Sequence, residues 1–261
     1  MSMPFSASSS PPIVDSGSQV RLKVNGIEMA VDVDRHLVDD ILLPRFQALK
    51  RRDGAGVRQF VFLAAPPGVG KSTLAAVLEK QAVDFDLDTI GIDGFHHPNS
   101  YLAAHNVPGD GPPVSLSSVK GAPETFDVAR LEQYLAESVT RELLWPDYDR
   151  TLHDVVPGRK AILADLVLLE GNWLLLDEPA WRSLSNYSAF NIFIEAEPEL
   201  LKERLIERKI RGGMDPSSAT QFYEASDRRN IERVLQNTDR RKVDLTLRLN
   251  ADGKIDQGES Q

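Results

Sequence analysis

The segment APPGVGKS at positions 65–72 has the residue types and spacing of a phosphate-binding loop in its relaxed form, with Ala in the first position. It follows an apolar run and precedes a stretch with helical periodicity. In such a loop the glycines let backbone N–H groups approach phosphates, the lysine reaches the β- and γ-phosphates, and the serine binds Mg²⁺. The residues predicted to bind ATP are Pro67, Gly68, Val69, Gly70, Lys71, Ser72 and Thr73.

Asp93 stands directly after a second short apolar run, residues 89–92. In a parallel sheet this position lies at the carboxyl edge, where such folds place their sites. A carboxylate there can accept the proton of an attacking hydroxyl group. Asp93-Gly94 is also a common turn sequence, but beside a phosphate-binding loop we favour a catalytic base.

Two acidic positions compete for the second carboxylate of the site. Glu170 ends one apolar run just before Gly171, whereas Asp177 and Glu178 follow another and resemble the acidic pair of an ATPase. The apolar stretch 161–176 is too long for one typical strand, so only one half is the core strand. We favour Glu170 as the Mg²⁺-side acid together with Ser72; the alternative would make the protein a hydrolase.

Several polar residues are candidates for binding the acceptor. His96 and His97 follow Asp93, and adjacent residues on an extended segment point apart, so we expect substrate-loop residues or loop packing rather than zinc ligands. The loop that contains Tyr148, Arg150 and His153 can either hold a polar acceptor or be a solvated turn. The predicted substrate-binding residues are His96, His97, Tyr148, Arg150, His153 and Asn172.

A basic run lies in and just after the helical stretch at 199–210. Such runs are usually solvated faces. The Gly212-Gly213 break that follows would let a lid carry Arg208 or Arg211 to the transferred phosphoryl group, whose charge a cation stabilises in the transition state. Both arginines, with Lys71 and Asp93, are therefore our candidate catalytic residues.

The elements that must position these residues follow from hydrophobic periodicity. Alternating runs around Asn25-Gly26 predict an N-terminal β-hairpin, and apolar spacing predicts a helix at 35–50. Strands alternating with helices predict an α/β P-loop NTPase fold, a parallel sheet with helices on both faces. Predicted strands lie at 60–65, 89–92, 166–169, 190–194 and 243–249, and predicted helices at 72–83, 127–143 and 199–210. The Pro/Gly/Ser-rich segment 98–122 is predicted to be an active-site loop.

We divide the chain into a disordered leader (1–18), the hairpin and helix (19–54), a kinase domain (55–250) with a lid at about 204–226, and a flexible tail (251–261). The net charge of −9 argues against nucleic-acid partners. No apolar run is long enough to span a membrane, and the absence of Cys suits a cytoplasmic location. The sequence leaves open whether the chain is a monomer or a homodimer.

Taken together, the motifs resemble the pantothenate kinase, uridine kinase and phosphoribulokinase group of P-loop kinases, most nearly its bacterial branch labelled fructose-transport-system or sugar kinases. The resemblance runs from the hairpin to about Leu235, with the motifs in the group's order. The matching segments are VNG, APPGVGKSTL, DGFHHPNSYL, KGAPETFDVARL, WPDYDRTLHDVVP, LLEGNWLLLDEPAW and ERLIERKIRGG.

The resemblance implies an ATP- and Mg²⁺-dependent kinase that phosphorylates a hydroxyl group of a sugar, a sugar-like molecule, or a pantothenate- or nucleoside-like acceptor. It implies that Asp93 is the base, that Tyr148 and His153 hold the acceptor, and that Glu170 is the Mg²⁺-side acid, with 208–211 in the lid. The alternative functions are a P-loop ATP hydrolase or switch without an acceptor, and a nucleotide-binding regulator without turnover.

Overall fold

A computed structural model describes residues 19–24, 26–52, 57–108 and 112–257. The predicted leader (1–18), Asn25 of the predicted hairpin turn, and the last four residues of the predicted tail lie outside the described residues. The strands are β1 (Gln19–Val24), β2 (Ile27–Asp32), β3 (Gln59–Ala64), β4 (Leu87–Gly91), β5 (Asn106–Val107), β6 (Val114–Ser115), β7 (Leu144–Asp149), β8 (Asp154–Ala161), β9 (Leu166–Gly171), β10 (Ser188–Ala196), β11 (Leu245–Leu249) and β12 (Ile255–Gln257). The α-helices are α1 (Leu43–Arg52), α2 (Lys71–Gln81), α3 (Asn99–Ala104), α4 (Val128–Ser138), α5 (Pro198–Arg211), α6 (Pro216–Phe222) and α7 (Arg228–Asn237).

The central sheet has six strands in the order β12-β11-β10-β3-β9-β4. All neighbours pair in parallel except β11 and β12. The five predicted strands are all present in this sheet, which confirms the predicted fold class. Because β3, β9 and β4 are adjacent and parallel, the loops after them meet at one edge.

Two hydrophobic clusters cover the two faces of the sheet. Along β3, Val61 and Leu63 face one cluster, with α2, α5 and the N-terminal hairpin, whereas Phe60 and Phe62 face the other, which includes residues of α4. Buried on both faces, the core strands carry continuous apolar runs rather than alternating ones.

The N-terminal hairpin is confirmed. Strands β1 and β2 pair antiparallel up to Val24 opposite Ile27, and Gly26 has a φ of 82°, as a tight turn requires. Residues of β1 alternate between exposed and buried, so one face of the hairpin packs on the core.

The predicted helix at 35–50 is also present, although its first part, His36–Leu42, is a π-helix that continues into α1. Its predicted apolar face is buried in the core. Among the described residues, no helix has the length and apolar character needed to cross a lipid bilayer.

The segment 98–122, predicted as a loop, contains more regular structure than expected. It holds the short helix α3 and the two-residue strands β5 and β6, which pair antiparallel. Residues 109–111 lie outside the described residues. These elements are too short for periodicity to reveal.

At the other end of the chain, the predicted flexible tail needs a correction. Part of it, β12, pairs antiparallel with β11 after a turn in which Gly253 adopts a φ of 84°. Ile255 of this strand packs against the core. A strand of three residues is below the length that sequence alternation can indicate.

Candidate active site

The phosphate-binding loop joins the end of β3 to the start of α2, as predicted. Gly68 and Gly70 have φ angles of 87° and 108°, in the left-handed region that favours glycine. A Cβ atom at Gly68 would also lie 2.9 Å from Leu205 Cγ, so helix α5 packs tightly beneath the loop. These two glycines are therefore needed both for loop shape and for its close approach to α5.

Lys71 is the buried cation of the loop. Its Nζ donates to the carbonyl oxygens of Ala65 (3.2 Å) and Pro66 (3.1 Å) and to Asn172 Oδ1 (2.6 Å). Burial lowers the pKa of Lys71, and attraction to Glu170 and Asp93 opposes that effect. Asn172, predicted to bind substrate, contacts Lys71 in this structure.

Glu170 at the end of β9 lies beside Ser72 at the start of α2. The Ser72 hydroxyl donates to Glu170 Oε1 at 2.5 Å. Burial raises the pKa of Glu170, and Asp93 adds to the rise, while Lys71 and the Ser72 hydrogen bond oppose it. The two acidic positions are thereby distinguished: Glu170 belongs to the site.

These two oxygen-bearing side chains suit Mg²⁺, which prefers hard oxygen ligands and usually keeps waters and substrate phosphates in its shell. The described residues contain no group of three or more His, Cys, Asp or Glu that would hold a metal on its own. Ser72 and Glu170 therefore fit as ligands of an Mg²⁺ ion that the phosphates of a nucleotide also hold.

Asp93 follows β4 in a short 3₁₀ turn, Asp93–Phe95, and its side chain is 53% exposed. Exposure leaves this carboxylate accessible to a ligand. Its charged partner is Arg150, whose Nη2 lies 3.5 Å from Asp93 Oδ2. The turn is fixed at Gly94, where a Cβ atom would lie 2.2 Å from the carbonyl oxygen of Pro146.

His96 and His97, which follow Asp93 and are predicted to bind the substrate, mainly pack against other side chains. His96 is buried, its Nδ1 lies 2.9 Å from the Asp93 carbonyl oxygen, and its ring centroid lies 3.7 Å from that of Phe126. Burial lowers the pKa of His96, so a neutral ring is favoured. His97 stacks on Tyr101 at 4.1 Å. Of the two interpretations of these histidines, the structure favours loop packing for His96.

The turn between β7 and β8 brings Tyr148 and Arg150 to the same place as Asp93. The Tyr148 ring centroid lies 5.8 Å from that of His96. His153 adopts a φ of 52°, and its backbone carbonyl accepts hydrogen bonds from Asn99 and Lys120. The structure thus brings this loop beside Asp93, and its role in binding the acceptor stays a prediction.

The two candidate arginines of the lid helix differ in their surroundings. Burial lowers the pKa of Arg208, and its charge interacts with Asp227, Arg150 and Asp93. Arg211 instead forms an exposed ion pair with Glu207 at 3.2 Å. Arg208 is the arginine of this pair that lies within electrostatic reach of the site.

Arg204, one turn earlier in α5, is a site residue that sequence reasoning missed. Its Nε donates to the Gly68 carbonyl at 3.0 Å and its Nη2 to the Val69 carbonyl at 3.5 Å. It also lines a cavity of about 150 Å³ between the phosphate-binding loop and the turn before β12. Because Arg204 lies in a basic run, the sequence does not distinguish it from basic neighbours that are solvated.

The alternative acidic pair, Asp177 and Glu178, is paired with arginines. Glu178 accepts hydrogen bonds from Arg233 at 2.7 and 2.5 Å, and this contact lowers the pKa of Glu178. Asp177 accepts one from Arg182 at 2.6 Å. The apolar residues before them are buried but form no strand of the central sheet, so the ATPase-like interpretation of this segment is wrong.

The chain is similar in sequence to several known proteins. The chain is 39% identical over 242 residues to the uncharacterized protein YggC of Escherichia coli, covering 90% of this chain and 98% of YggC. It is 28% identical over 209 residues to the pantothenate kinase of Haemophilus ducreyi, covering 73% of this chain and 62% of that enzyme. The chain thus spans about three fifths of that relative. No model of a known protein family matches.

Among solved structures, a protein of Silicibacter sp. TM1040, described as a candidate fructose transport system kinase, superposes with a TM-score of 0.68 at 28% identity, covering 78% of this chain and 97% of that one. Fold and site thus define a P-loop kinase of the pantothenate kinase, uridine kinase and phosphoribulokinase group, whose members transfer phosphoryl groups from ATP to hydroxyl acceptors. Within it, the chain belongs to the same family as E. coli YggC.

Proposed function

We propose that the chain transfers the γ-phosphoryl group of ATP to a hydroxyl group of a small metabolite, with Asp93 as the general base. One observation carries this proposal. Asp93 presents an exposed carboxylate at the sheet edge where the phosphate-binding loop also lies, within electrostatic range of Lys71 and Glu170. A base next to a phosphate-binding loop is the arrangement that in-line transfer to a hydroxyl requires.

In this mechanism the acceptor hydroxyl oxygen attacks the γ-phosphorus, the bond to the β,γ-bridging oxygen breaks, and Asp93 takes the hydroxyl proton while ADP leaves. Arg150, 3.5 Å from Asp93, orients the carboxylate. Lys71 and Arg208 stabilise the charge on the transferred group. Ser72 and Glu170 would hold Mg²⁺, which neutralises phosphate charge when bound with the nucleotide.

Within the predicted lid at about 204–226, Arg204 and Leu205 are held against the phosphate-binding loop. The location of Arg208 supports a lid role for the part that follows them, since α5 continues through Gly212-Gly213 into α6. Closure would bring Arg208 toward the phosphate and exclude water. The cavity beside Arg204 is a suitable place for the adenine base, because it adjoins Gly70 and Thr73 of the loop. The domain boundaries, the cytoplasmic location and the monomer or homodimer state remain predictions.

The competing function, ATP hydrolysis without an acceptor, loses its proposed base. Glu178 is paired with Arg233 and follows a segment that forms no strand of the central sheet. The relatives support the class of acceptor only in outline. A sugar, a sugar acid, a nucleoside or a pantothenate-like molecule fits a site of polar and aromatic residues.

The test is a coupled assay of ADP release over sugars, sugar acids, nucleosides and pantothenate. We expect release to depend on an acceptor and to fall at least roughly 10²-fold in Asp93→Asn, with ATP affinity retained. Glu178→Gln is the matched control and should keep its activity. ADP release without an acceptor would support the hydrolase, and no release with any acceptor would support a non-catalytic regulator.

A further inference from the structure

Lys120 places a positive charge in the acceptor region that the mechanism above does not use. Its Nζ donates to Asn99 Oδ1 at 2.6 Å and to the His153 carbonyl oxygen at 2.8 Å, and it lies 4.9 Å from the ring centroid of Tyr148. Tyr148 and His153 are two of the predicted acceptor-binding residues. The ammonium group is thus fixed within the region that we assign to the acceptor.

The protein leaves this ammonium group incompletely paired. An ammonium has three N–H donors, and two of them are used here on uncharged oxygens. Within the ranges that the structure describes, no carboxylate forms an ion pair with Lys120. A half-buried cation without a counter-charge has one donor direction left for an anionic ligand.

The nearby carboxylates are occupied elsewhere. Asp149 accepts backbone N–H groups of Thr151 and Leu152 and pairs with Arg159 at 3.3 Å. Asp154 accepts from the backbone N–H of Asn99 at 3.0 Å. Neither neutralises Lys120, so they leave the positive charge of the acceptor region in place.

Arg150, next to Asp93, adds a second cation to this region. Its contact with Asp93 is a single one at 3.5 Å, and its side chain is 50% exposed, so its guanidinium keeps most of its donors free. Burial and the charge of Lys120 both lower the pKa of His96, and the charge of Asp93 opposes them. Among the described residues of this region, the cations open to a ligand are therefore Lys120 and Arg150.

We propose that Lys120 and Arg150 bind an anionic group of the acceptor, a carboxylate or a phosphate ester, so that the substrate is a hydroxy acid or a phosphorylated polyol rather than a neutral sugar or nucleoside. The proposal rests on the proposed kinase function and names the acceptor class of that same site. Lys120 is a specificity-determining residue in it, and Asp93 remains the base.

The experiment compares acceptors in pairs that share a carbon skeleton: gluconate with glucitol, glycerate with glycerol, pantothenate with pantothenol, and glycerol 3-phosphate with glycerol. We expect the anionic member of the productive pair to have the higher kcat/KM by at least about tenfold, as a charge-assisted hydrogen bond provides. The carboxylate pairs and the phosphate pair separate the two sources of the anion.

Two variants assign this preference to Lys120. Lys120→Met should raise KM for the anionic acceptor by roughly 10- to 100-fold, leave KM for ATP unchanged, and reduce the preference within the pair. Lys120→Arg should restore much of the preference for the anionic acceptor, which a purely structural role would not predict. If Lys120→Met does not fold, the comparison of anionic and neutral acceptors in the wild type and in Lys120→Arg still tests the proposal.

The outcomes separate this proposal from the proposed function. Asp93-dependent phosphorylation of a neutral acceptor in preference to its anionic partner would overturn the anionic acceptor and keep the kinase. Equal losses for both members of a pair in Lys120→Met would overturn the role of Lys120. No turnover with any acceptor would overturn the proposed function, and this inference with it.

Discussion

At the scale of single residues, charge is concentrated where the phosphates would bind. Lys71 is buried and Glu170 is half-buried, and burial lowers the pKa of the first and raises the pKa of the second. Burial disfavours the charged form of both groups, and ATP with its metal would supply the missing counter-charges. The site is thus arranged to gain most from binding its ligands together.

The first prediction concerns the lid arginines. Arg208→Ala should lower kcat by roughly 10²- to 10⁴-fold, the range for a cation that stabilises a transferred phosphoryl group. KM for ATP should change little, because the arginine acts mainly in the transition state. Steady-state kinetics with varied ATP measure both quantities.

Arg211→Ala is the matched control for Arg208→Ala. It removes the same side chain from the same helix, where its partner is Glu207. We expect near-wild-type kinetics. An equal loss in both variants would mean that the helix, rather than Arg208, is responsible.

The second prediction concerns protons. The raised pKa of Glu170 favours its protonated form, whereas metal binding requires the carboxylate. Binding of ATP with Mg²⁺ should therefore release a proton there, and affinity should rise with pH. Calorimetry in two buffers of different ionisation enthalpy measures the release, which Glu170→Gln should abolish.

The same shift has a consequence for the free protein. The pKa of Glu170 is higher in the folded state than in the unfolded state. Between these two pKa values the folded protein therefore binds more protons than the unfolded protein does. The contribution of Glu170 to the free energy of unfolding is complete below the unfolded pKa and falls as pH rises through the folded one. If binding of ATP with Mg²⁺ still released a proton in Glu170→Gln, Glu170 would not be the source of that proton.

At the scale of elements, the turn after β4 depends on one glycine. Gly94→Ala would place a methyl group 2.2 Å from the backbone carbonyl oxygen of Pro146, which cannot move as a side-chain end can. We expect a loss of at least about 3 kcal/mol of stability and, because Asp93 is next to it, a loss of activity. Thermal denaturation and the ADP assay measure these effects.

Gly212→Ala is the control for the change at Gly94. Its φ is −78°, and its nearest contact for a Cβ atom is 3.3 Å, from the Lys209 carbonyl oxygen. We expect a change within about 1 kcal/mol. Similar losses at both glycines would show that the contact with Pro146 is not the cause.

The elements around the site could be predicted to different extents. Strands such as β3 and β9 are continuous apolar runs that end in diagnostic residues, so the sequence indicates both the strand and the site residue at its carboxyl end. Arg204 and Lys120 could not be assigned, because their roles come from carbonyl oxygens that only the tertiary structure brings near them. His96 is ambiguous in the sequence, since its burial depends on Phe126, a residue distant along the chain.

At the scale of the whole molecule, the N-terminal hairpin is part of the kinase core. Leu22 of β1 belongs to the cluster that also contains Val77 of α2, and Lys80 donates to the Arg21 carbonyl oxygen at 2.9 Å. Leu22→Asp should therefore cost at least about 3 kcal/mol, or roughly 6 to 12 °C in Tm. Thermal denaturation should still show a single transition.

Arg21→Asp places the same charge on the neighbouring, exposed position of β1. We expect a change within about 0.5 kcal/mol. If the two variants behaved alike, the hairpin would be an appendage that contributes nothing to the stability of the kinase core.

The distribution of tryptophan gives the molecule a built-in optical probe. The chain has three tryptophans, and Trp145, Trp173 and Trp181 all belong to the same one of the two hydrophobic clusters. The indole N–H of Trp145 donates to the Gly91 carbonyl oxygen at 2.8 Å, and that of Trp173 to the Gly121 carbonyl oxygen at 3.1 Å. Intrinsic fluorescence thus reports on the side that carries Asp93 and Lys120, so its response can distinguish acceptor docking from events around the other cluster.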